Sequence, residues 1–364
     1  MSYNILGFLY SGRLSSSDAS GWNHIPFEKL THLVWAFMTP FKDGSIQFLR
    51  PDFDLAILKE IVPAAHKKGC KTLIAIGGWT NSYAFSEICA SPVARAYFVK
   101  QCLSTLKQTG ADGIDLDWEF PGLAEFEGQV SDQQNLILLL QELRAEFGSK
   151  YIITIDLPGI EKWYQYFDIS KIVPLVDFIS IMSYDLGSPE TRALEQLSWH
   201  NSPLYSPSHT SPKDPNFTPA LNPSFHQLAI HFLMQGCPPH KLNLGLGFYG
   251  RYYPDCLGLN QSWNKEHAKV DTALLYSEIM ELKNSGKLNE DWCSLAQVPM
   301  GTYIDPKTGL QNWVSYDDER SIGIKVNYIR QEDFGGVLIW ELGCDLVDGD
   351  HPLVNACARI LKPN

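Results

Sequence analysis

Acidic side chains are concentrated in one short segment of the sequence, residues 112–119, which reads Asp-Gly-Ile-Asp-Leu-Asp-Trp-Glu. If this segment is a β-strand, Asp115, Asp117 and Glu119 lie on one face, because successive strand side chains point to opposite faces. Carboxylates this close together in a site with little water cannot all ionise, so at least one keeps its proton near neutral pH. The segment therefore predicts a carboxylic acid that can donate a proton to a substrate, and Glu119 is nearest the carboxyl end of the strand.

The same segment admits other interpretations. It could be a solvated acidic loop or a structural hydrogen-bond ladder, and clustered carboxylates also suit Mg²⁺ or Ca²⁺. The strand alternation buries the acids, which argues against a loop. The sequence has neither the EF-hand spacing nor a nearby His pair, which argues against a metal site. We therefore expect no metal and no other cofactor. Asp112 falls outside the alternation and is expected to hold the start of the strand.

Charge and composition exclude several classes of partner. The 364 residues include 29 Lys and Arg against 41 Asp and Glu, a formal net charge of −12, and the basic residues are scattered. No cationic surface for nucleic acid is visible. No apolar run reaches the about 20 residues that span a membrane, and the first residues lack a basic segment followed by an apolar one. The eight cysteines show no metal-ligand spacing, and most are expected to be buried thiols, while the presence of one or two disulfides is left open.

Short β-rich runs alternate with helical stretches along the chain, which predicts an α/β protein with parallel strands closed into a (β/α)8 TIM barrel. The predicted strands are Ile5–Tyr10, His32–Met38, Thr72–Ile76, Gly113–Glu119, Ile152–Leu157, Phe178–Met182, Leu242–Tyr249 and Gly336–Trp340. Capping residues, prolines and glycines mark the ends of helices, and they predict one from Ser91-Pro92 to Gly110, one from Asp132 to Glu146 and one from Asn222-Pro223 to Gly236.

Two segments interrupt this alternation. Residues Leu186 to Leu221 are rich in Ser and Pro and are expected to form a long loop after the sixth strand. Residues Arg251 to Tyr316, between the seventh strand and its helix, are long enough for a small α+β insertion with a helix near Leu274–Lys283. Both follow the carboxyl ends of strands, where barrels place their active sites. We expect a catalytic barrel from residues 1–250 and 317–364 and an insertion domain from residues 251–316.

The spacing Asp112-x-x-Asp115-x-Asp117-x-Glu119 resembles the D-x-x-D-x-D-x-E motif of glycoside hydrolase family 18, the chitinases and their relatives. Further family motifs have similar segments here, in the same order along the predicted strands. These are Ile76-Gly77-Gly78-Trp79, Met182-Ser183-Tyr184-Asp185, Leu246 through Arg251, and Gly335 through Glu341. Tyr276-x-Glu278-Ile279 and Tyr316-Asp317-Asp318 are similar to the chitinase insertion domain. The resemblance covers nearly the whole chain.

The resemblance implies a mechanism and catalytic roles. Glu119 would protonate the glycosidic oxygen while the substrate's own 2-acetamido carbonyl attacks the anomeric carbon, giving an oxazolinium intermediate that water opens with retention. Asp117 would orient the acetamide N–H and stabilise the positive charge, with Asp115 supporting it from deeper in the barrel. The Tyr184 hydroxyl would bond to the acetamide.

The resemblance also implies substrate contacts. Trp340 would be the aromatic floor beneath the sugar, since flat apolar rings suit the C–H faces of pyranoses. Trp79 is expected to extend this platform, as are Trp118 and Trp199 unless they are ordinary core residues. The other expected substrate-binding residues are Asp185, Met182, Tyr249, Arg251, Phe37 and Phe8, of which Phe37 also suits the core and Arg251 also suits a salt bridge to the insertion.

Some positions depart from the family pattern. Ala75 stands where the family usually has Ser, and Phe8 where a Tyr commonly lines the cleft floor. Each change removes a hydroxyl group near the inner carboxylates. We therefore do not expect the pH dependence of the family to carry over directly.

We expect the protein to hydrolyse β-1,4-linked N-acetylglucosamine polymers or oligomers as a monomer, with chitin or its oligosaccharides as partner. An endo-β-N-acetylglucosaminidase or a peptidoglycan-type glycosidase is the alternative among enzymes. A non-catalytic chitin-binding lectin is a third possibility, against which Glu119 speaks. Since chitin lies outside most cells, an extracellular or exported protein is expected, although the sequence begins without a signal peptide.

Overall fold

A closed barrel of parallel strands with surrounding helices forms the main body of the computed structural model, which describes residues 3–14, 22–189, 197–206, 223–264, 266 and 271–363. The strands are β1 (Asn4–Tyr10), β2 (His32–Pro40), β3 (Ile46–Phe48), β4 (Lys71–Gly77), β5 (Gly113–Asp117), β6 (Ile152–Pro158), β7 (Phe178–Met182), β8 (Leu242–Gly247), β9 (Tyr249–Pro254), β10 (Ala273–Leu275), β11 (Asn289–Cys293), β12 (Val298–Ile304), β13 (Gln311–Ser315) and β14 (Gly336–Trp340). The barrel order is β1-β14-β8-β7-β6-β5-β4-β2, and pairing of β1 with β2 closes it. The predicted (β/α)8 barrel is therefore confirmed.

Helices cover the outside of the barrel strands, so strands such as β4 and β5 are buried on both faces, as is usual for parallel strands. They are α1 (Pro51–Lys67), α2 (Phe85–Ala90), α3 (Pro92–Thr109), α4 (Asp132–Phe147), α5 (Glu161–Tyr164), α6 (Ile169–Ile172), α7 (Phe225–Met234), α8 (Tyr276–Asn284), α9 (Glu319–Gln331) and α10 (Pro352–Leu361).

The end signals read from the sequence hold for two of the three predicted helices. Helix α3 is capped by Ser91, whose hydroxyl accepts the N–H of Ala94 at 3.3 Å, and it ends at Gly110 in the left-handed region. Helix α4 also lies where it was predicted. The predicted start of α7 was wrong, because Ser224 is its N-cap and accepts the N–H of Gln227. Asn222 lies outside the described residues.

Two strand ends also differ from the prediction. Strand β5 stops at Asp117 rather than Glu119, since the N–H of Glu119 donates to the hydroxyl of Ser82 at 3.1 Å instead of to a neighbouring strand. Strand β8 stops at Gly247, and Tyr249 already belongs to β9, which pairs with β10 and β13 in a different sheet.

That second sheet is antiparallel, in the order β10-β9-β13-β12-β11, and lies between β8 and α9 in the chain. Together with α8 it forms the expected α+β insertion, with a small apolar core of its own that includes Ile279, Val314 and Tyr316. In the segment expected as a long loop, residues 186–189 and 197–206 contain no strand, only a single bridge from Leu197 to Ser262. The rest of that segment lies outside the described residues.

The structure shows the state of the cysteine thiols and the burial of two tryptophans. All eight cysteines are free, and only Cys293 is partly exposed, so most of them are the buried thiols expected from the sequence and none is in a disulfide. Burial among apolar side chains raises the pKa of thiols such as Cys70 to about 12. Trp118 and Trp199 are 2% and 1% exposed, so they are core residues rather than part of a sugar platform. None of the helices in the described ranges is both long and apolar enough to cross a membrane.

Candidate active site

The three acidic residues predicted on one strand face come together at the carboxyl end of β5. Asp115 and Asp117 are buried inside the barrel, at 0% and 4% exposure, and Glu119 follows just beyond the strand with a partly exposed side chain. We call Asp115, Asp117 and Glu119 the carboxylate ladder. Its buried end faces the barrel interior and its outer end reaches the surface, so the ladder runs from core to solvent.

Burial raises the pKa values of all three groups in the ladder. The pKa of Asp115 rises to about 6, with a hydrogen bond from Thr154 working in the opposite direction. The pKa of Asp117 is raised well above its usual value by burial and by the charge of Asp115. The pKa of Glu119 is also well above its usual value, through burial and then through the charges of Asp117 and Asp185. The arrangement thus favours the protonated form of each of the three carboxyl groups, the form in which a general acid acts.

A fourth buried carboxyl, Asp156 on β6, was missed by the sequence analysis. It is 2% exposed and lies two residues after Thr154, the strand partner of Asp115. Burial, followed by the charges of Asp115 and Asp117, raises its pKa well above the usual value. The available signal was the alternation of β6, which places Thr154 and Asp156 on one face between isoleucines.

Two glycines after β4 allow the chain to pass close to the ladder. Gly77 and Gly78 have φ angles of 109° and 84°, which L side chains rarely adopt. A Cβ atom on Gly77 would lie 2.1 Å from the carbonyl oxygen of Asp117, and the N–H of Gly78 donates to that same oxygen at 2.8 Å. The hydroxyl of Ser82 donates to the Asp117 carbonyl and accepts the N–H of Glu119. This turn therefore fixes the backbone on both sides of Trp118.

A second polar group lies after β7 and at the start of β9. Tyr184 and Tyr249 are buried in an edge-on ring pair with centroids 6.0 Å apart. Arg251 donates to Asp185 at 2.6 Å and to Asp271 of the insertion at 2.5 Å. Burial disfavours the charge of Arg251, but the adjacent carboxylates and Tyr249 raise its pKa. The Arg251 side chain thus contacts one residue of the predicted site, Asp185, and one residue of the insertion, Asp271.

Asn201 is a positioning residue that the sequence analysis did not identify. It lies in the loop after β7 and is 1% exposed. Its side-chain oxygen accepts the N–H of Asp185 at 2.9 Å, and its amide donates to the carbonyl of Tyr249 at 3.0 Å. No local pattern marks this residue, because its partners are separated from it by 16 and 48 positions.

Aromatic side chains surround the last residue of β14. The Trp340 ring stacks on Phe37 at 5.5 Å and meets the edge of Phe8 at 5.8 Å. Phe8 and Phe37 are buried, at 1% and 6% exposure, whereas Trp340 is partly exposed, as is Met182 at the end of β7. The surface these residues offer to a ligand is thus that of Trp340 and Met182, backed by two buried rings.

Trp79 is the most exposed of the expected aromatic residues, at 54%. It packs against Phe126 at 5.5 Å, Trp163 at 6.1 Å and Phe120 at 6.3 Å, and Phe120 stacks on Trp163 at 4.9 Å. An apolar, exposed ring held on an aromatic base is suited to contact with a sugar face.

Asp112 lies apart from the ladder, at the other end of β5. Its carboxylate accepts the N–H of Thr72 at 2.7 Å and contacts Nε2 of His66 at 2.8 Å. These contacts join the start of β5 to β4 and α1, the structural place expected for it. Within the described residues, no group of three or more His, Cys, Asp or Glu side chains is arranged to hold a metal ion.

Comparisons with known proteins agree on one family. The model of the family described as Glycosyl hydrolases family 18 matches residues 8–345. Chitinase A1 of Niallia circulans is 31% identical over 76% of this chain and 40% of its own length. The endochitinase of Manduca sexta is 29% identical over 94% of this chain and 63% of its own length. The chain thus spans less than two thirds of the length of these curated relatives.

Solved structures extend the likeness to the whole fold. The Group IV chitinase of Ostrinia furnacalis is 26% identical, with a TM-score of 0.86 over 99% of both chains. The same enzyme in complex with allosamidin is 27% identical, with a TM-score of 0.85 over 98% of both chains.

Proposed function

The chain belongs to family 18 of the glycosyl hydrolases, and from that premise we propose that it is a chitinase, which hydrolyses β-1,4-linked N-acetylglucosamine polymers or oligomers. The observation that carries the proposal is the carboxylate ladder, in which Glu119 at the open end has a raised pKa beside two buried acids. A proton held near neutral pH at the mouth of a barrel is what cleavage of a glycosidic bond needs.

In the proposed reaction Glu119 gives its proton to the glycosidic oxygen as the bond to the anomeric carbon breaks. The substrate's 2-acetamido oxygen forms the new bond to that carbon, so no second protein nucleophile is needed. Asp117 orients the acetamide N–H and stabilises the positive charge, and Asp115 supports Asp117 from below. Water then opens the oxazolinium ring, returning a proton to Glu119 and retaining the configuration.

The proposed binding surface continues from the ladder along the open end of the barrel. Tyr184 donates its hydroxyl hydrogen to the acetamide oxygen, and Trp340 lies beneath the sugar. The other residues proposed to line the cleft are Asp185, Met182, Tyr249, Arg251 and Trp79, with Phe37 and Phe8 supporting Trp340 from behind. Support comes from their common location on or just after the carboxyl-terminal halves of β1, β2, β4, β7 and β14 and at the start of β9.

We propose further that residues 1–250 and 317–364 act as the catalytic domain and that residues 251–316 act as an insertion domain that walls one side of the cleft. The contact of Arg251 with both Asp185 and Asp271 supports this arrangement. A monomer that acts outside the cell, on chitin or its oligosaccharides and with neither nucleic acid nor membrane as partner, completes the proposal.

The Glu119→Gln variant tests the enzyme. Purified protein should release short N-acetylglucosamine oligomers from a chito-oligosaccharide of defined length. Glu119→Gln should lose at least about 10²-fold in kcat, because the amide has no proton to give, while still retaining the oligomer on a column. Glu125→Gln, at a neighbouring residue whose side chain is 55% exposed, is the matched control and should keep full activity. A wild-type protein that binds the oligomer but never cleaves it is a lectin, and the enzyme proposal then fails.

A deacetylated substrate tests the participation of the acetamide group. N-acetylated oligomers should turn over, whereas the fully deacetylated analogues should not, because the nucleophile is missing from them. Efficient cleavage of the deacetylated polymer would contradict substrate assistance. Cleavage of glycoprotein glycans or peptidoglycan in preference to chitin oligomers would instead identify one of the alternative glycosidases. Allosamidin, bound by the solved relative, should compete with the oligomer.

A further inference from the structure

None of the roles described so far uses Asp156, which lies beside the ladder. Its carboxyl is buried on β6, two residues after the strand partner of Asp115, and its pKa is raised by burial and then by the charges of Asp115 and Asp117 on β5. Two carboxyl groups can form a hydrogen bond only if a proton lies between them, since ionised carboxylates have acceptor atoms alone. Two buried carboxyl groups on neighbouring strands can therefore avoid a double negative charge by holding one proton between them.

One oxygen atom of each carboxyl group lacks a hydrogen-bond donor, which favours a shared proton. Asp115 Oδ2 and Asp156 Oδ1 are both buried, and neither has a donor among the residues that the structure describes. Leaving a buried carboxylate oxygen without a donor is costly, whereas a proton shared with the neighbouring carboxyl satisfies both groups.

Polar support for Asp115 comes from one side of the barrel only. On the β6 side its strand partner is Thr154, whose hydroxyl donates to Asp115, and Asp156 follows two residues later. On the β4 side its strand partner is Ala75, which has no polar group. Ala75 and Phe8 belong to an apolar cluster inside the barrel. These are the two positions where the family usually carries a hydroxyl group.

We propose that Asp156 is a positioning residue, which shares one proton with Asp115 and so keeps Asp115 oriented and singly charged beneath Asp117. This rests on the proposed function, because it assigns Asp156 to the same reaction. The groups that face Asp156 are Asp115 and Asp117 on β5, Ser180 opposite it on β7, and Tyr184 after β7. Of these, the two aspartates carry the negative charges that raise the pKa of Asp156.

Three variants separate positioning from mere packing. Asp156→Asn keeps the shape and a hydrogen donor to Asp115, so the acid limb of kcat/KM should stay in place and kcat should remain within about threefold. Asp156→Ala removes the donor that favours the Asp115 carboxylate. Its acid limb should move up by about one pH unit and its kcat near pH 5 should fall about tenfold, while KM changes by less than about threefold. Asp345→Asn is the control: Asp345 is equally buried but bonds to the N–H groups of Leu353 and Val354, so the limbs should not move.

A titration without substrate keeps the test independent of activity. In protein labelled with ¹³C at the aspartate carboxyl carbons, Asp115 and Asp156 should titrate together in two steps, as coupled groups do. In Asp156→Asn, the step shared with Asp156 should disappear from the Asp115 titration, which then keeps only its interaction with Asp117. An unchanged Asp115 titration in Asp156→Asn, or an unmoved acid limb in a folded Asp156→Ala, overturns the proposal. A wild-type protein without activity on N-acetylglucosamine oligomers would instead refute the proposed function, and the titration would still decide whether the proton is shared.

Discussion

The negative charge of Asp185 raises the pKa of Glu119. It stands at a φ angle of 56°, its N–H is held by Asn201, and its carboxylate pairs with Arg251. After burial and Asp117, the negative charge of Asp185 is the third factor that raises the pKa of Glu119. A residue proposed to contact the sugar thus also favours the protonated form of the proposed general acid.

Replacing Asp185 by Asn should lower the pH at which activity is lost on the alkaline side. A general acid is active only while protonated, so kcat falls as pH rises through its pKa. Without the charge of Asp185 that pKa falls, and the alkaline limb should move down by about half a pH unit or more. The measurement is the pH profile of kcat on a chito-oligosaccharide.

The control for this prediction is Asp271→Asn. Asp271 is the other partner of Arg251, but its side chain is 75% exposed and is not among the groups that shift Glu119. Its profile should match that of the wild type. An alkaline limb that stays in place in Asp185→Asn would show that burial and Asp117 alone determine the pKa of Glu119.

At this scale the sequence was sufficient for residues defined by local spacing. The period of a strand put Asp115, Asp117 and Glu119 on one face, and the structure places them together. Asp156 and Asn201 were not found, because each is defined by contacts with distant parts of the chain. Predicting Asp156 would have required the register of β5 against β6, in which Asp115 lies beside Thr154. Predicting Asn201 would have required the path of a loop, which no sequence periodicity describes.

Among the elements, the turn after β4 fixes the position of the carboxyl end of β5 and so the position of the ladder. Gly77 lies so close to the carbonyl of Asp117 that any side chain must push the two strand ends apart. The backbone of Glu119 is tied to the same turn through Ser82. A substitution in this turn should therefore displace Glu119 through the backbone.

Gly77→Ala should lower both stability and activity. The left-handed backbone and the clash with a backbone oxygen together should cost about 2–4 kcal/mol of unfolding free energy, and displacement of Glu119 should lower kcat at least about tenfold. Gly69→Ala is a matched control, because Gly69 also has a positive φ, of 72°, but nothing lies within 4 Å of the added Cβ. It should cost about 1 kcal/mol and leave kcat unchanged. Equal effects of the two substitutions would mean that backbone strain, not contact with Asp117, is responsible.

The elements themselves were predictable where the end signals are local. Ser91, Pro92 and Gly110 marked α3 correctly. The ends of β5 and β8 were placed too far along the chain, because their last residues remain apolar or alternate as a strand does. What stops β5 is a hydroxyl group from another element, and what stops β8 is pairing in a second sheet.

For the whole molecule, buried histidines and a buried carboxyl group make the free energy of unfolding depend on pH with opposite signs. Burial lowers the pKa of His32 and His351 to about 4 and that of His200 to about 3, against 6.5 in an exposed side chain. Between these values only the unfolded chain binds the protons, so the stability from these residues is lost as pH falls below 6.5. Burial raises the pKa of Asp345 to about 8, so the folded protein keeps a proton that the unfolded chain has released. That contribution is lost as pH rises.

We therefore expect the free energy of unfolding to fall between about pH 6.5 and pH 8, where the histidines no longer compensate. The slope from one fully buried carboxyl is about 1 kcal/mol per pH unit, and the ladder adds to it. Urea unfolding at a series of pH values measures it. Asp345→Asn, which cannot ionise, should flatten this decline. A stability that is constant or rises over this interval would contradict the prediction.

The overall architecture was the most predictable level. Alternating strand and helix patterns are repeated many times, so errors of two residues at single ends do not alter the number of barrel strands. The strand order inside the insertion was not predicted, because antiparallel pairings such as β9 with β13 join segments about 60 residues apart in the chain.

The free cysteines make the protein convenient for spectroscopy. Seven thiols are buried and Cys293, on β11 of the insertion, is the one that solvent reaches in part. Maleimide dyes and spin labels need an accessible thiol, so they should attach at this single position in the native protein. A label there sits on the insertion, and a second introduced on the barrel would report the distance between the two during substrate binding.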